Sequence, residues 1–93
     1  MITVNEYFEG NVKSLAYQSA DGKSTIGIIE KGVYQFGTTK HETMRVIEGS
    51  LKARLPGEID WKLINAGESF EIDADCTFDV QADAQVSYLC KYK

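Results

Sequence analysis

GVYQFGTTKHETMRVIEG, residues Gly32 to Gly49, decides how this chain is read. Tyr34, Phe36 and Thr38 alternate with the residues between them, the side-chain period of two that marks a half-buried strand. The polar turn from Thr38 to His41 breaks the alternation, which resumes from Glu42 through Met44 and Val46. Two strands joined by a polar turn follow, and the pattern predicts that both feed one wall of a pocket. The stretch also holds the chain's one histidine, His41.

Outward from this stretch, no segment repeats apolar residues at helical spacing, whereas alternation and glycine-bearing turns recur about every ten residues. After a short N-terminal arm, a strand is expected over Val12 to Gln18, with Lys13, Leu15 and Tyr17 on one face; Lys13 is therefore expected to point inward. Asp21-Gly22 supplies hairpin chemistry. The β-branched run Thr25 to Ile29 is apolar on both faces and reads as a buried strand. Leu51 to Leu55, Trp61 to Ile64, Ser69 to Ile72, a segment around Phe78 and Val80, and Gln85 to Tyr92 follow, punctuated by Pro56-Gly57, Ala66-Gly67 and the polar corner Asp73 to Asp75. In the last strand Val86, Tyr88, Cys90 and Tyr92 share a face. So many short strands in 93 residues manage their edges by closing into a small barrel or a double-sheet jelly roll. The chain is read as all-β and as a single domain over residues 1–93.

At this length the core covers roughly 60–65% of the unfolded surface, so a partner subunit would help. The net charge is −4 with no lysine or arginine cluster, which argues against nucleic-acid backbone binding, because that affinity comes from basic groups displacing counterions. The N-terminal MITVNEYFEG lacks a signal peptide's charged and apolar regions, and no apolar run reaches membrane-spanning length. A cytoplasmic protein with no membrane partner is expected. Its two cysteines, Cys76 and Cys90, read as reduced thiols in such a compartment; a nucleophilic role would need a base nearby, and His41 is the sole imidazole.

Two spacings resemble the motifs of the small metal-binding jelly rolls called cupins. Glu42, six residues and Gly49 fit the end of the first motif, with Phe36 and Thr38 standing where its two histidines would be. In the second, Gly67 leads by five residues to Asp73 in a proline slot and on to Phe78 in the third histidine slot. Of the four ligand positions only Glu42 keeps a ligand, so the expectation is a metal-free pocket with no cofactor. Glu71, Asp73, Asp75, Asp79 and Asp83 are acidic neighbours in sequence, but no calcium-loop pattern orders them and alternation scatters them along an outer face.

Longer signatures make the resemblance more particular. NEYFEGNVKS (Asn5 to Ser14), GVYQFGT (Gly32 to Thr38), ETMRVIEGSL (Glu42 to Leu51), AGESFEI (Ala66 to Ile72) and SYLC (Ser87 to Cys90) resemble the pyrimidine/purine nucleoside phosphorylase family of small cupin-fold proteins, over essentially the whole chain. Asp73 departs from the proline usual there, which affects turn stiffness more than chemistry. The resemblance implies a nucleoside and orthophosphate as substrates, with phosphorolysis to a free base and ribose 1-phosphate over a broad range of bases, and cupin-type pairing implies a homodimer.

That chemistry builds positive charge on the sugar ring as the C1′–N bond breaks. Glu42 suits an inward carboxylate that orients ribose hydroxyls and stabilises that charge. Tyr34, Phe36, Phe78 and Tyr88 are placed inward, where they either stack on a base or simply fill the core. Met44 shares the Glu42 side of its strand and joins the substrate wall, and Tyr7 caps the pocket mouth or packs the arm. Thr38 and Thr39 are hydroxyl donors or turn residues, and Lys13 is the candidate for phosphate, against the plainer reading of a rim lysine. Arg45 faces away, and His41 reads as solvated on its turn. From another class, the competing reading is a non-catalytic cupin that binds a sugar or nucleobase.

Overall fold

Alternation along each strand splits the chain into an inward and an outward set, and two antiparallel sheets close over the inward one. The computed structural model describes residues 1–92. Among them ten strands occur: β1 (Thr3–Tyr7), β2 (Val12–Ser19), β3 (Gly22–Ile29), β4 (Gly32–Gly37), β5 (Glu42–Glu48), β6 (Ser50–Arg54), β7 (Lys62–Asn65), β8 (Ser69–Ile72), β9 (Thr77–Ala82) and β10 (Val86–Tyr92). One sheet is ordered β1-β2-β3-β10-β5-β8 and the other β4-β9-β6-β7. The fold is all-β as expected, and of the two closures the sequence left open, a small barrel or a double-sheet jelly roll, the two sheets form the second.

Val12, Ile29, Val46, Leu51, Ile72, Val80 and Val86 are all but fully buried between the sheets, each contributing about 1.5–3 kcal/mol by leaving water. Gly49, at φ +90°, carries the chain from β5 in the larger sheet to β6 in the smaller. A Cβ there would stand 3.3 Å from the Gln85 carbonyl oxygen, so this corner favours glycine on both conformation and space.

Four expectations need correction. Thr3–Tyr7 is a strand, pairing antiparallel with β2, where an irregular arm was expected. Gly32 to Gly49 supplies β4 to one sheet and β5 to the other, so its halves form facing walls and not a single wall. The β3 run is not buried on both faces: Thr25 and Ile29 are buried while Ile26 and Ile28 stand in solvent. Its outward residues are as apolar as its inward ones, which hides the alternation from composition. On β2 the inward set is Val12, Ser14 and Ala16, and Lys13 with Leu15 points out. Lys13 and Leu15 do share a face, but burial of the neighbouring set decided which face is inside.

Gly27 makes room inside the larger sheet. It lies opposite Tyr88 in the β3–β10 register, and a Cβ on it would fall 2.6 Å from the Tyr88 Cζ and hydroxyl oxygen. Tyr88 is buried, so its ring cannot swing into solvent. Gly27→Ala is expected to lower stability by about 1–3 kcal/mol through overpacking, seen as a lower urea midpoint at an unchanged slope.

Candidate functional site

Where the two sheets part near β1, they leave a cavity of about 220 Å³. Phe36 of β4 and Phe78 of β9 line it from the smaller sheet, with ring centroids 5.6 Å apart. Tyr7 and Phe8 line it from the end of β1. The chain turns there through Phe8 (φ 53°), Glu9 (φ 59°) and Gly10 (φ 87°), a left-handed run that costs energy for the two non-glycine residues. That turn aims Phe8 at Phe36 (5.6 Å, edge-on) and Tyr34 (5.0 Å).

The larger sheet supplies the polar side. Glu42 and Met44 come from β5, Ser14 from β2, and Tyr88, Cys90 and Tyr92 from β10. Register places them: Tyr92 lies opposite Glu42 and Cys90 opposite Met44. The Cys90 thiol donates to Glu42 Oε1 at 3.4 Å, and the Tyr92 hydroxyl lies 3.3 Å from Thr25 Oγ1.

Desolvation sets the electrostatics. Partial burial pushes the Glu42 carboxyl above its usual value of 4.5, with the thiol hydrogen bond acting in the opposite sense. Burial, then the nearby Glu42 charge, pushes the Cys90 thiol up to about 12. Burial likewise pushes Tyr88 up to about 12, with charge on Cys90 and Tyr7 adding and a Ser14 hydrogen bond opposing. Burial also raises Tyr92. At neutral pH the thiol and these two phenols are therefore protonated donors. Among the described residues lining the cavity there is no lysine or arginine.

Of the residues singled out from sequence, Glu42, Phe36, Met44, Phe78, Tyr88 and Tyr7 meet at this cavity. Tyr34 does not line it: it is buried behind Phe36 and Phe8, and its hydroxyl donates to the Glu30 carbonyl at 2.9 Å. Thr38 is buried as a corner post, its hydroxyl donating to the Asp73 carbonyl (2.6 Å) and accepting from the Cys76 amide (3.0 Å). Thr39 is exposed on the turn. Lys13 lies on the outer face, 3.6 Å from Glu6. His41 sits outside the lining, with Nε2 3.1 Å from Glu71 and Nδ1 3.5 Å from Asp73. Asp79 is tied to Arg54 at 2.8 Å, and Arg54 in turn covers the Trp61 ring.

Sequence reasoning missed Phe8, Ser14, Gln35, Cys90 and Tyr92. For Cys90 and Tyr92 the signal was present, because alternation puts them on the Tyr88 face. Phe8 depends on a left-handed turn that no local pattern marks, apart from Gly10.

A cupin metal centre gathers imidazoles with a carboxylate. Here the cavity offers one carboxylate and one protonated thiol, and among the described residues no group of three His, Cys, Asp or Glu side chains has an arrangement that could hold a metal ion. This donor set does not fit such a centre.

Residues 2–92 match the family model described as pyrimidine/purine nucleoside phosphorylase. The chain belongs to this family. A pyrimidine/purine nucleoside phosphorylase from Pseudoalteromonas atlantica is 49% identical over 92 residues, covering 99% of each chain. A crystal structure of a protein of unknown function from Vibrio parahaemolyticus superposes with a TM-score of 0.96 at 36% identity, over 100% of this chain and 99% of that one. An RmlC-like cupin from Shewanella frigidimarina is similar at a TM-score of 0.73 and 15% identity, over 98% and 82% of the two chains. That likeness establishes the cupin fold. Among the described residues no helix is long and apolar enough to cross a membrane.

The raised Glu42 value gives a pH prediction. Below 4.5 the carboxyl is protonated folded and unfolded alike. As pH rises through the window above it, the unfolded chain releases this proton first, so the group's contribution to stability falls until the folded value is passed. Glu42→Gln removes that fall. The melting temperature of Glu42→Gln relative to the native chain is expected to increase from about pH 4 to about pH 7, measured by calorimetry on both proteins.

Proposed function

We propose that this chain cleaves purine and pyrimidine nucleosides with orthophosphate, without a metal or other cofactor, to give a free base and ribose 1-phosphate. The observation that carries this reading is a half-buried Glu42 facing an aromatic wall inside a cavity of about 220 Å³. A phosphate oxygen forms a bond to C1′, the C1′–N bond breaks, and its electron pair leaves with the base, which takes up a proton. Positive charge grows on the ribose ring in between. Glu42 holds the ribose hydroxyls and opposes that charge, and low local polarity strengthens the interaction. Phe36, Phe78, Phe8 and Tyr7 offer ring faces to the base. Stacking recognises any base, because each has a π-face, so a wide base range follows. Tyr88, Tyr92 and Ser14 are neutral donors suited to sugar hydroxyls and phosphate oxygens.

A non-catalytic cupin that binds a sugar or nucleobase is the second reading, favoured by the absence of a lysine or arginine among the described residues that line the cavity. Metal-stripped protein incubated with uridine or adenosine separates the two. Base release that requires phosphate is expected; saturable nucleoside binding with no release under any phosphate concentration favours the second reading. Glu42→Gln is expected to reduce turnover by about 10²–10³-fold with the fold intact, and an unchanged rate removes Glu42 from the site.

We also propose a cytoplasmic homodimer, in keeping with the free thiols of Cys76 and Cys90. Val4, Leu15 and Ile26 form one cross-strand row on the outer face of the larger sheet, with Ile28 beside it, all exposed. An apolar patch of this kind is suited to a second copy of the chain. Ile28→Glu is expected to convert a dimeric mass to a monomeric one by sedimentation; a native monomer overturns the proposal.

A further inference from the structure

We infer that Cys90 is the positioning residue for Glu42, its thiol fixing the carboxylate so that the acid presents one oxygen to the thiol and the other to substrate. This inference rests on the reading of Glu42 above. Cys90 is 2% exposed on a strand paired with β5, opposite Met44 and one inward step from the Tyr92–Glu42 pair. The sulfur therefore reaches Glu42 diagonally, at 3.4 Å from Oε1. A donor held on a central strand cannot follow the carboxylate if it rotates, so the contact selects one side-chain geometry.

The surroundings say why a thiol suits this place. Cys90, Tyr88 and Tyr92 face Glu42 from β10, and Tyr7 approaches from β1. Across the other edge of β5, Glu71 and Asp73 flank Ile72, the register partner of Glu42, and both carboxylates bear on His41. No lysine or arginine lines the cavity among the described residues, so a hydrogen bond from a neutral group is what holds the carboxylate. Burial disfavours its charge, and the thiol contact partly offsets this. Because Cys90 itself stays protonated at neutral pH, it is a donor and not a nucleophile. No bond to the sulfur forms or breaks.

The test compares Cys90→Ala, which removes the donor, with Cys90→Ser, which retains one. The Glu42 carboxyl carbon is followed by ¹³C NMR across pH in the native protein and both variants, assigned with Glu42→Gln. The expected result in Cys90→Ala is an upward move of the Glu42 titration, while Cys90→Ser stays at or below the native midpoint. In kinetics, kcat/KM of Cys90→Ala at neutral pH is expected to fall about tenfold, with the acid limb of its pH profile moved the same way as the titration, and Cys90→Ser to recover most of the loss. A Glu42 titration unchanged or lowered in Cys90→Ala overturns the inference, as does an alanine-like result for Cys90→Ser. The NMR measurement needs no turnover: should the native protein release no base while the Glu42 titration responds as expected, the phosphorylase reading fails and the Cys90–Glu42 coupling stands.

Discussion

The hydrogen-bond register of β10 between β3 and β5 is the constraint on which the rest of the molecule depends. It pairs Tyr88 with Gly27 on one side and Tyr92 with Glu42 on the other, with an irregularity between Ser87 and Tyr88. Because strand side chains alternate, a slip of one residue would turn Tyr88, Cys90 and Tyr92 outward together. The cavity would lose its three β10 donors and Glu42 would lose its thiol partner. Val86, on the same face, is buried in the core, so packing and site geometry are locked by a single choice of register.

That register also explains the electrostatic character of the cavity. Neutral hydroxyl and thiol groups surround one carboxylate, and aromatic rings close the opposite side. An interior of this sort shelters positive charge that develops transiently, since a negative group held in low polarity acts more strongly than it would in water. It also holds back a permanent charge on Glu42, which is why burial raises that group. On the proposed reading, stabilising a cationic transition state and bearing a partly buried acid would be two consequences of the same desolvation. The Thr38 hydroxyl, bonded to the Asp73 and Cys76 backbone, ties the turn between β4 and β5 to the corner between β8 and β9.

Much of this was legible from residue order. Alternation with glycine turns gave an all-β barrel or jelly roll, and it put Phe36, Phe78, Tyr88 and Glu42 on inward faces where they are found. It failed where a strand is apolar on both faces, as at Ile26 and Ile28, and where two faces are equally plausible, as at Lys13 on β2. Local pattern states that side chains alternate; it does not state which set is covered, because covering is done by residues distant in the chain. Tyr34 shows a subtler limit. It is inward as expected, yet Phe8 and Phe36 stand between it and the open space.

The sequence by itself determined the period of each strand, the places where glycine permits the chain to turn, the family signatures and the replacement of histidine by Phe36, Thr38 and Phe78 in the motif slots. Those properties are local, carried by backbone conformation and side-chain type. Only the tertiary structure decided that Gly32 to Gly49 spans two sheets, that Phe8 closes on Phe36 through a left-handed turn, and that Cys90 reaches Glu42 from 48 residues away. The physical reason is that sheet register and closure are settled by burial summed over the whole chain, so the partner of any one side chain is chosen by strands far from it in sequence.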